Sequence, residues 1–148
     1  DEDEVQNWLV EQMNYRSRGR FNAYREAQVA GGNKPDVIVS STAAQCEVGV
    51  EVKHGGKGWT LRQLEKALRL QLAQDYLKPP TRRDGIFLVT HHGQRRWRDP
   101  ESNRLMTFET LIRWLEGIAE MLVENDSGPI EVKCFGIDAS PSVNEKSR

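Results

Sequence analysis

Pro35-Asp36-Val37-Ile38-Val39-Ser40-Ser41-Thr42-Ala43-Ala44-Gln45-Cys46-Glu47-Val48-Gly49-Val50-Glu51-Val52-Lys53 holds two apolar runs around a small polar connection, the pattern of a β-hairpin. A turn centred between Ala43 and Ala44 sets Asp36 opposite Glu51, because both lie equally far from it. Alternation along the second strand then puts Glu51 and Lys53 on one face and Val52 on the other. Two carboxylates and an amine therefore converge in an otherwise apolar setting, where uncompensated charge is expensive. A hard divalent cation compensates such a pair, being held by one or two carboxylates, a carbonyl and a substrate phosphate. Lys53 could instead neutralise both acids in a purely structural salt bridge. The residues alone leave the two readings open.

Outward from the hairpin, Val5, Trp8, Leu9 and Met13 recur at helical spacing and predict a helix over residues 4–15 behind an acidic first turn. Residues 16–20 suit a loop, and 21–29 a strand ending at the turn signal Gly31-Gly32-Asn33. After Lys53, Gly55-Gly56-Lys57-Gly58 reads as a flexible loop, and Thr60 caps a helix marked by Leu61, Leu64, Leu68, Leu72 and Tyr76 until Pro79-Pro80. Gly85 to Val89 is an apolar strand, residues 93–104 a basic loop containing Trp97, and Phe108 to Leu122 a long amphipathic helix. Asp126-Ser127-Gly128-Pro129 is a turn before a last strand, Ile130 to Ile137. The predicted order is α, β, β, β, α, β, α, β: an α/β fold with a mixed sheet flanked by helices.

The chain has 148 residues, 37% hydrophobic and 29% charged, the balance of one globular domain spanning 1–148 with a flexible tail over 140–148. No apolar run approaches the roughly 18 residues of a membrane span, so no membrane partner is expected. Two cysteines, Cys46 and Cys134, are too few for a disulfide scaffold and point to a reducing cytoplasm. The absent initiator methionine suggests a domain excised from a larger protein, whose remainder is then a partner. Net charge is -1, which removes the easiest argument for nucleic acid, but the charges are unevenly spread. The first eleven residues hold five acids and no base, whereas Arg16, Arg18, Arg20, Arg25 and Lys34 follow with only Glu26 against them. A second basic stretch carries Arg82, Arg83, Arg95, Arg96, Arg98 and Arg104. Solvated loops and a phosphate-facing surface both fit these stretches.

Pro35-Asp36 and Glu51-Val52-Lys53, followed by the helix with Leu68-Arg69-Leu70-Gln71-Leu72 and the strand Gly85-Ile86-Phe87-Leu88-Val89, resemble the PD-(D/E)XK phosphodiesterase superfamily. The resemblance covers about residues 4–91 and includes the αβββαβ order of the restriction-endonuclease-like core, with a helix and a strand added at the C-terminal end. It implies a magnesium-dependent endonuclease acting on DNA, with manganese as a substitute ion. Asp36 and Glu51 would be metal ligands, the Val52 carbonyl a third, and Lys53 the catalytic lysine. In several branches a glutamate from the first helix and a glutamine from the helix after the lysine join the site. Glu11 and Gln71 hold those places here, with Glu4 an alternative to Glu11. Tyr76 falls five residues after Gln71, one more than the Q-x-x-x-Y spacing of recombination-type exonucleases, a departure from that branch. By analogy, small nuclease domains of this kind serve as effectors of bacterial defence or restriction systems and often act as homo-oligomers.

Lys34, Lys57 and Arg62 are the expected backbone contacts to DNA, Lys57 because neighbouring glycines permit close approach. Glu131-Val132-Lys133 repeats the E-V-K triplet without a Pro-Asp strand before it and reads as structural. His54, His91 and His92 have no partner at zinc-like spacing and read as loop or structural histidines. Trp97 either stacks on a base or anchors its loop. Two further readings stand beside the nuclease: a catalytically silent nucleic-acid binder, and an oligomerisation module using the 107–124 helix, which exposed apolar surface on that helix would favour.

Overall fold

Asp1 opens the chain as a helix cap, its side chain accepting the Glu4 N–H, and the acids that follow sit on the positive end of the helix dipole. The computed structural model describes residues 1–25, 34–126 and 130–141. Its elements are α1 (Glu2–Ser17), β1 (Phe21–Arg25), β2 (Val37–Ser41), β3 (Glu47–His54), a single 3₁₀ turn (Gly55–Lys57), α2 (Leu61–Lys66), a π-helical continuation of α2 (Ala67–Tyr76), β4 (Asp84–His91), β5 (Trp97–Arg98), β6 (Leu105–Met106), α3 (Phe108–Asn125) and β7 (Glu131–Asp138). Five strands form one mixed sheet in the order β1-β2-β3-β4-β7, and β5 and β6 make a separate ribbon. The first three strands are an antiparallel meander, and β4 and β7 join parallel to β3 after the helical crossovers.

The expected element order is present, with two departures. The helix after Thr60 begins with the anticipated capping box, Thr60 with Gln63, but winds as a π-helix from Ala67 onward. The basic loop over 93–104 contains the β5–β6 ribbon. The predicted strand over 21–29 is described as far as Arg25. Its remainder, the Gly31-Gly32-Asn33 turn, the 127–129 part of the Asp126–Pro129 turn and the tail beyond 141 lie outside the described residues.

The sheet separates two apolar clusters. On one face α1 lays Val5, Leu9, Val10 and Met13 over Ala23, Val37, Val50, Val52 and Leu88. Trp8, read as part of that stripe, is instead 48% exposed. On the other face Leu61, Leu64, Leu68, Leu72 and Tyr76 meet Phe87 and Val89, while Leu111, Leu115, Ile118 and Ala119 of α3 cover the β7 side. Gly136 on β7 makes that approach close: a Cβ there would lie 2.6 Å from Ile112 and 2.7 Å from Phe108. The α3 stripe is thus used inside the protein, while Met121 of the same helix is exposed. Among the described residues no helix is long and apolar enough to cross a membrane.

The position of α1 is fixed from both ends. Near its C-terminal end the Asn14 amide donates to the Ala23 carbonyl and accepts the Ala23 N–H, each at 2.8 Å, so a side chain covers backbone groups of β1. Towards its start Arg25 reaches Asp3 at 2.6 Å and Asn7 at 2.9 Å. These ties bring the first turn of α1 to the C-terminal end of β3.

Candidate active site

Val37 pairs with Val50 and Val39 with Val48, so one further step in the same register sets Asp36 across from Glu51, as the turn midpoint predicts. Asp36 stands just before the β2 ladder begins. Its carboxylate accepts the Val52 N–H at 2.8 Å, in place of the backbone partner that β2 no longer supplies. In an extended residue the N–H and C=O leave the strand on the same side, so the Val52 carbonyl faces this edge too. Alternation delivers Glu51 and Lys53 to the α2 face, where they are 2% and 5% exposed. The Lys53 ammonium donates to Glu51 Oε1 at 2.5 Å, and among the described residues Glu51 Oε2 is buried without a hydrogen-bond partner.

Burial dominates the local electrostatics, and neighbouring negative charge adds to it. Burial pushes the Glu51 carboxyl up to about 7, and the neighbouring charges of Asp36 and Glu2 add to the rise while Lys53 opposes it. Asp36 is raised as well, chiefly by burial and further by Glu2, against the pull of the Val52 N–H and Lys53. The buried Tyr76 hydroxyl lies beside this pair; burial and the Glu51 charge raise its pKa, so it remains a neutral phenol. Lys53 lowers both carboxyls but does not cancel the effect of their burial.

The first-helix glutamate that comes to this site is Glu2. Its carboxylate is 3.5 Å from the His54 N–H and 3.7 Å from the Lys57 ammonium. Glu11, the position carried over from the resemblance, is exposed more than two turns farther along α1, and Glu4 is exposed beside the cap. All of these acids share one helix; the Asn14–Ala23 and Arg25–Asp3 ties decide which is delivered, and that is not visible in local spacing. Gln71 is exposed, while Leu68, Leu72 and Tyr76 of the same segment are buried. The structure brings Tyr76, not Gln71, to the carboxylates.

Lys34 is exposed next to Pro35-Asp36, and Lys57 is exposed beside Glu2. Arg62 is exposed on α2 and lines a cavity with Glu65, Asp99 and Trp114, on the α3 side of the helix. Trp97 is 2% exposed and packs near His91 and Phe108, which makes it the loop anchor. His91 bridges the Arg95 carbonyl and Asp138, while His54 and His92 stack on each other with ring centres 4.1 Å apart. In the second E-V-K triplet Glu131 and Lys133 are both exposed on the edge strand β7, as a structural role requires.

Two residues around Lys53 escaped the sequence reading. The Trp59 ring lies under its ammonium at 4.7 Å, and Arg95 donates to the carbonyls of Gly55 and Trp59, both at 2.7 Å. Local pattern carries no sign of either contact, since Arg95 is remote in the chain from both carbonyls it binds.

The donor set suits a hard cation: two carboxylates with raised affinity for positive charge, a backbone carbonyl on the same edge, and a carboxylate oxygen with no other partner. Among the described residues no group of three or more His, Cys, Asp or Glu side chains is arranged to hold a metal ion. Magnesium keeps much of its coordination for water and phosphate and needs few protein carboxylates. No family model matches the chain, and neither the curated proteins nor the solved structures contain a match.

Proposed function

We propose that this chain is a magnesium-dependent nuclease domain with a restriction-endonuclease-like core, hydrolysing phosphodiester bonds in DNA. The observation that carries the reading is the pair Asp36–Glu51, opposed across β2 and β3, with Glu51 buried, Asp36 half-buried, and both carboxyls raised by burial despite Lys53. Element order supports it: helix, three-stranded meander, helix and parallel strand, with the acidic pair and lysine on the second and third strands.

Asp36, Glu51 and the Val52 carbonyl would hold magnesium, which supplies Lewis acidity toward the phosphate and lowers the pKa of its water. The carboxylates compensate that ion in a site where water alone would not. Lys53 contributes a fixed positive charge where negative charge grows on the phosphoryl oxygens as water adds and the P–O ester bond breaks. Lys57 and Lys34, exposed on the flanks, fit contacts to neighbouring phosphates. A catalytically silent binder has no use for an acidic pair facing the phosphate, which places that reading second.

Plasmid and single-stranded DNA incubated with magnesium or with EDTA test the proposal. Wild-type protein is expected to cleave in magnesium only. Lys53→Ala and Asp36→Ala lose activity by about a hundredfold or more, the scale of removing a charge-stabilising group. Lys133→Ala, in the duplicate triplet, retains it. Equal cleavage by wild type and Lys53→Ala overturns the mechanism.

A further inference from the structure

The Lys53 ammonium donates to the Glu51 carboxylate at 2.5 Å and lies over the face of the Trp59 indole at 4.7 Å. On the nuclease reading, on which this inference rests, Glu51 must turn its charge to the cation. A nearly buried ammonium that loses its counter-ion is poorly solvated and poorly located. An aromatic face attracts it without offering the hard oxygen that the cation would take. We propose that Trp59, held by Arg95, is a positioning residue that keeps Lys53 aimed at the phosphate once Glu51 is engaged.

The support behind the indole is built from distant parts of the chain. Arg95 sends Nη1 to the Gly55 carbonyl and Nη2 to the Trp59 carbonyl, so one planar guanidinium ties together both ends of the turn after β3. Gly55 is seated against β4 so closely that a Cβ would lie 2.2 Å from the Thr90 carbonyl oxygen. The Arg95 guanidinium lies 5.3 Å from the ring of the buried Trp97, whose own ring packs beside Phe108 at the start of α3. The turn thus inherits the rigidity of the sheet and of α3, and passes it to the indole. The indole N–H is buried without a partner, so no hydrogen bond from Nε1 sets the ring. Its face is the part that meets Lys53.

That division supplies a test in which packing and aromatic character separate. Trp59→Phe keeps a ring face and removes the orphaned donor; Trp59→Leu keeps apolar volume and removes the face. With cleavage of DNA in magnesium as the readout, folded Trp59→Leu should lose about tenfold in kcat with KM unchanged, and Trp59→Phe should recover most of it. Arg95→Lys, which cannot span both carbonyls, should lower kcat in the same way but less. A second measurement does not depend on cleavage: the indole ¹H–¹⁵N signal missing from Trp59→Phe identifies Trp59, and it should shift in Lys53→Met. Wild-type kcat in folded Trp59→Leu overturns the proposal, as does a Trp59 signal unmoved in Lys53→Met. Absence of cleavage by wild-type protein sinks the nuclease reading instead, and the indole signal then decides the Lys53–Trp59 contact alone.

Discussion

Glu51 shows how much one buried carboxyl can reveal. In the folded chain it holds its proton up to about pH 7, against 4.5 when unperturbed. Between those values the folded state binds more protons than the unfolded state, so this group's contribution to stability falls as pH rises through the window and is fully lost above it. Each unit of such a shift corresponds to about 1.4 kcal/mol. Glu51→Gln mimics the protonated form at every pH. In EDTA the stability of this variant relative to wild type should therefore rise as pH increases from 4 to 8. Urea titrations of both proteins in EDTA across this range measure the difference; a gap that does not change with pH contradicts the assigned environment. The identity of the pair was readable in the chain because both acids are equidistant from one turn. The added rise from Glu2 was not, since that acid arrives from another element.

Among the elements, the turn after β3 is the most constrained. A methyl group at Gly55 would overlap the Thr90 carbonyl, which belongs to the backbone of β4 and cannot move aside as a side chain could. Gly55→Ala is expected to cost more than about 2 kcal/mol in chemical denaturation, in the upper part of the range for small-to-large changes at well-packed sites or beyond it. A cost under 1 kcal/mol would mean that the turn is free to lift off the sheet. This element also marks where reading from sequence stops. Gly55-Gly56-Lys57-Gly58 is legible as a glycine-rich loop, but the reason for its first glycine is contact with a strand more than thirty residues away. The helix that follows teaches the same lesson. Its start at Thr60 follows from a local hydrogen-bond motif and was predictable, whereas the π-helical run Ala67–Tyr76 is composed of ordinary helix formers. That run buries Leu72 and Tyr76 and leaves Gln71 in solvent, so the glutamine suggested by resemblance is replaced by a tyrosine beside Glu51.

Across the whole molecule, the sheet divides labour. On one face, under α1, β3 encloses Val50 and Val52 fully. On the other it carries Glu51 and Lys53 toward a largely apolar core that includes Leu68, Leu72, Tyr76 and Phe87. The two E-V-K triplets differ only in where the fold puts them: on the buried strand β3 the charges oppose a second acid, and on the edge strand β7 they meet solvent. Position within the sheet, not the triplet, makes the site. On the nuclease reading, Asp36 and Glu51 together form the seat of a divalent cation. Calorimetric titration of wild-type protein with manganese, at pH 6 and pH 8 and in buffers of different ionisation enthalpy, measures this directly. The account predicts tighter binding at pH 8, release of a proton on binding at pH 6, and loss of the heat in Asp36→Asn. Binding that is unchanged in Asp36→Asn, or no binding by wild type at millimolar manganese, would contradict it.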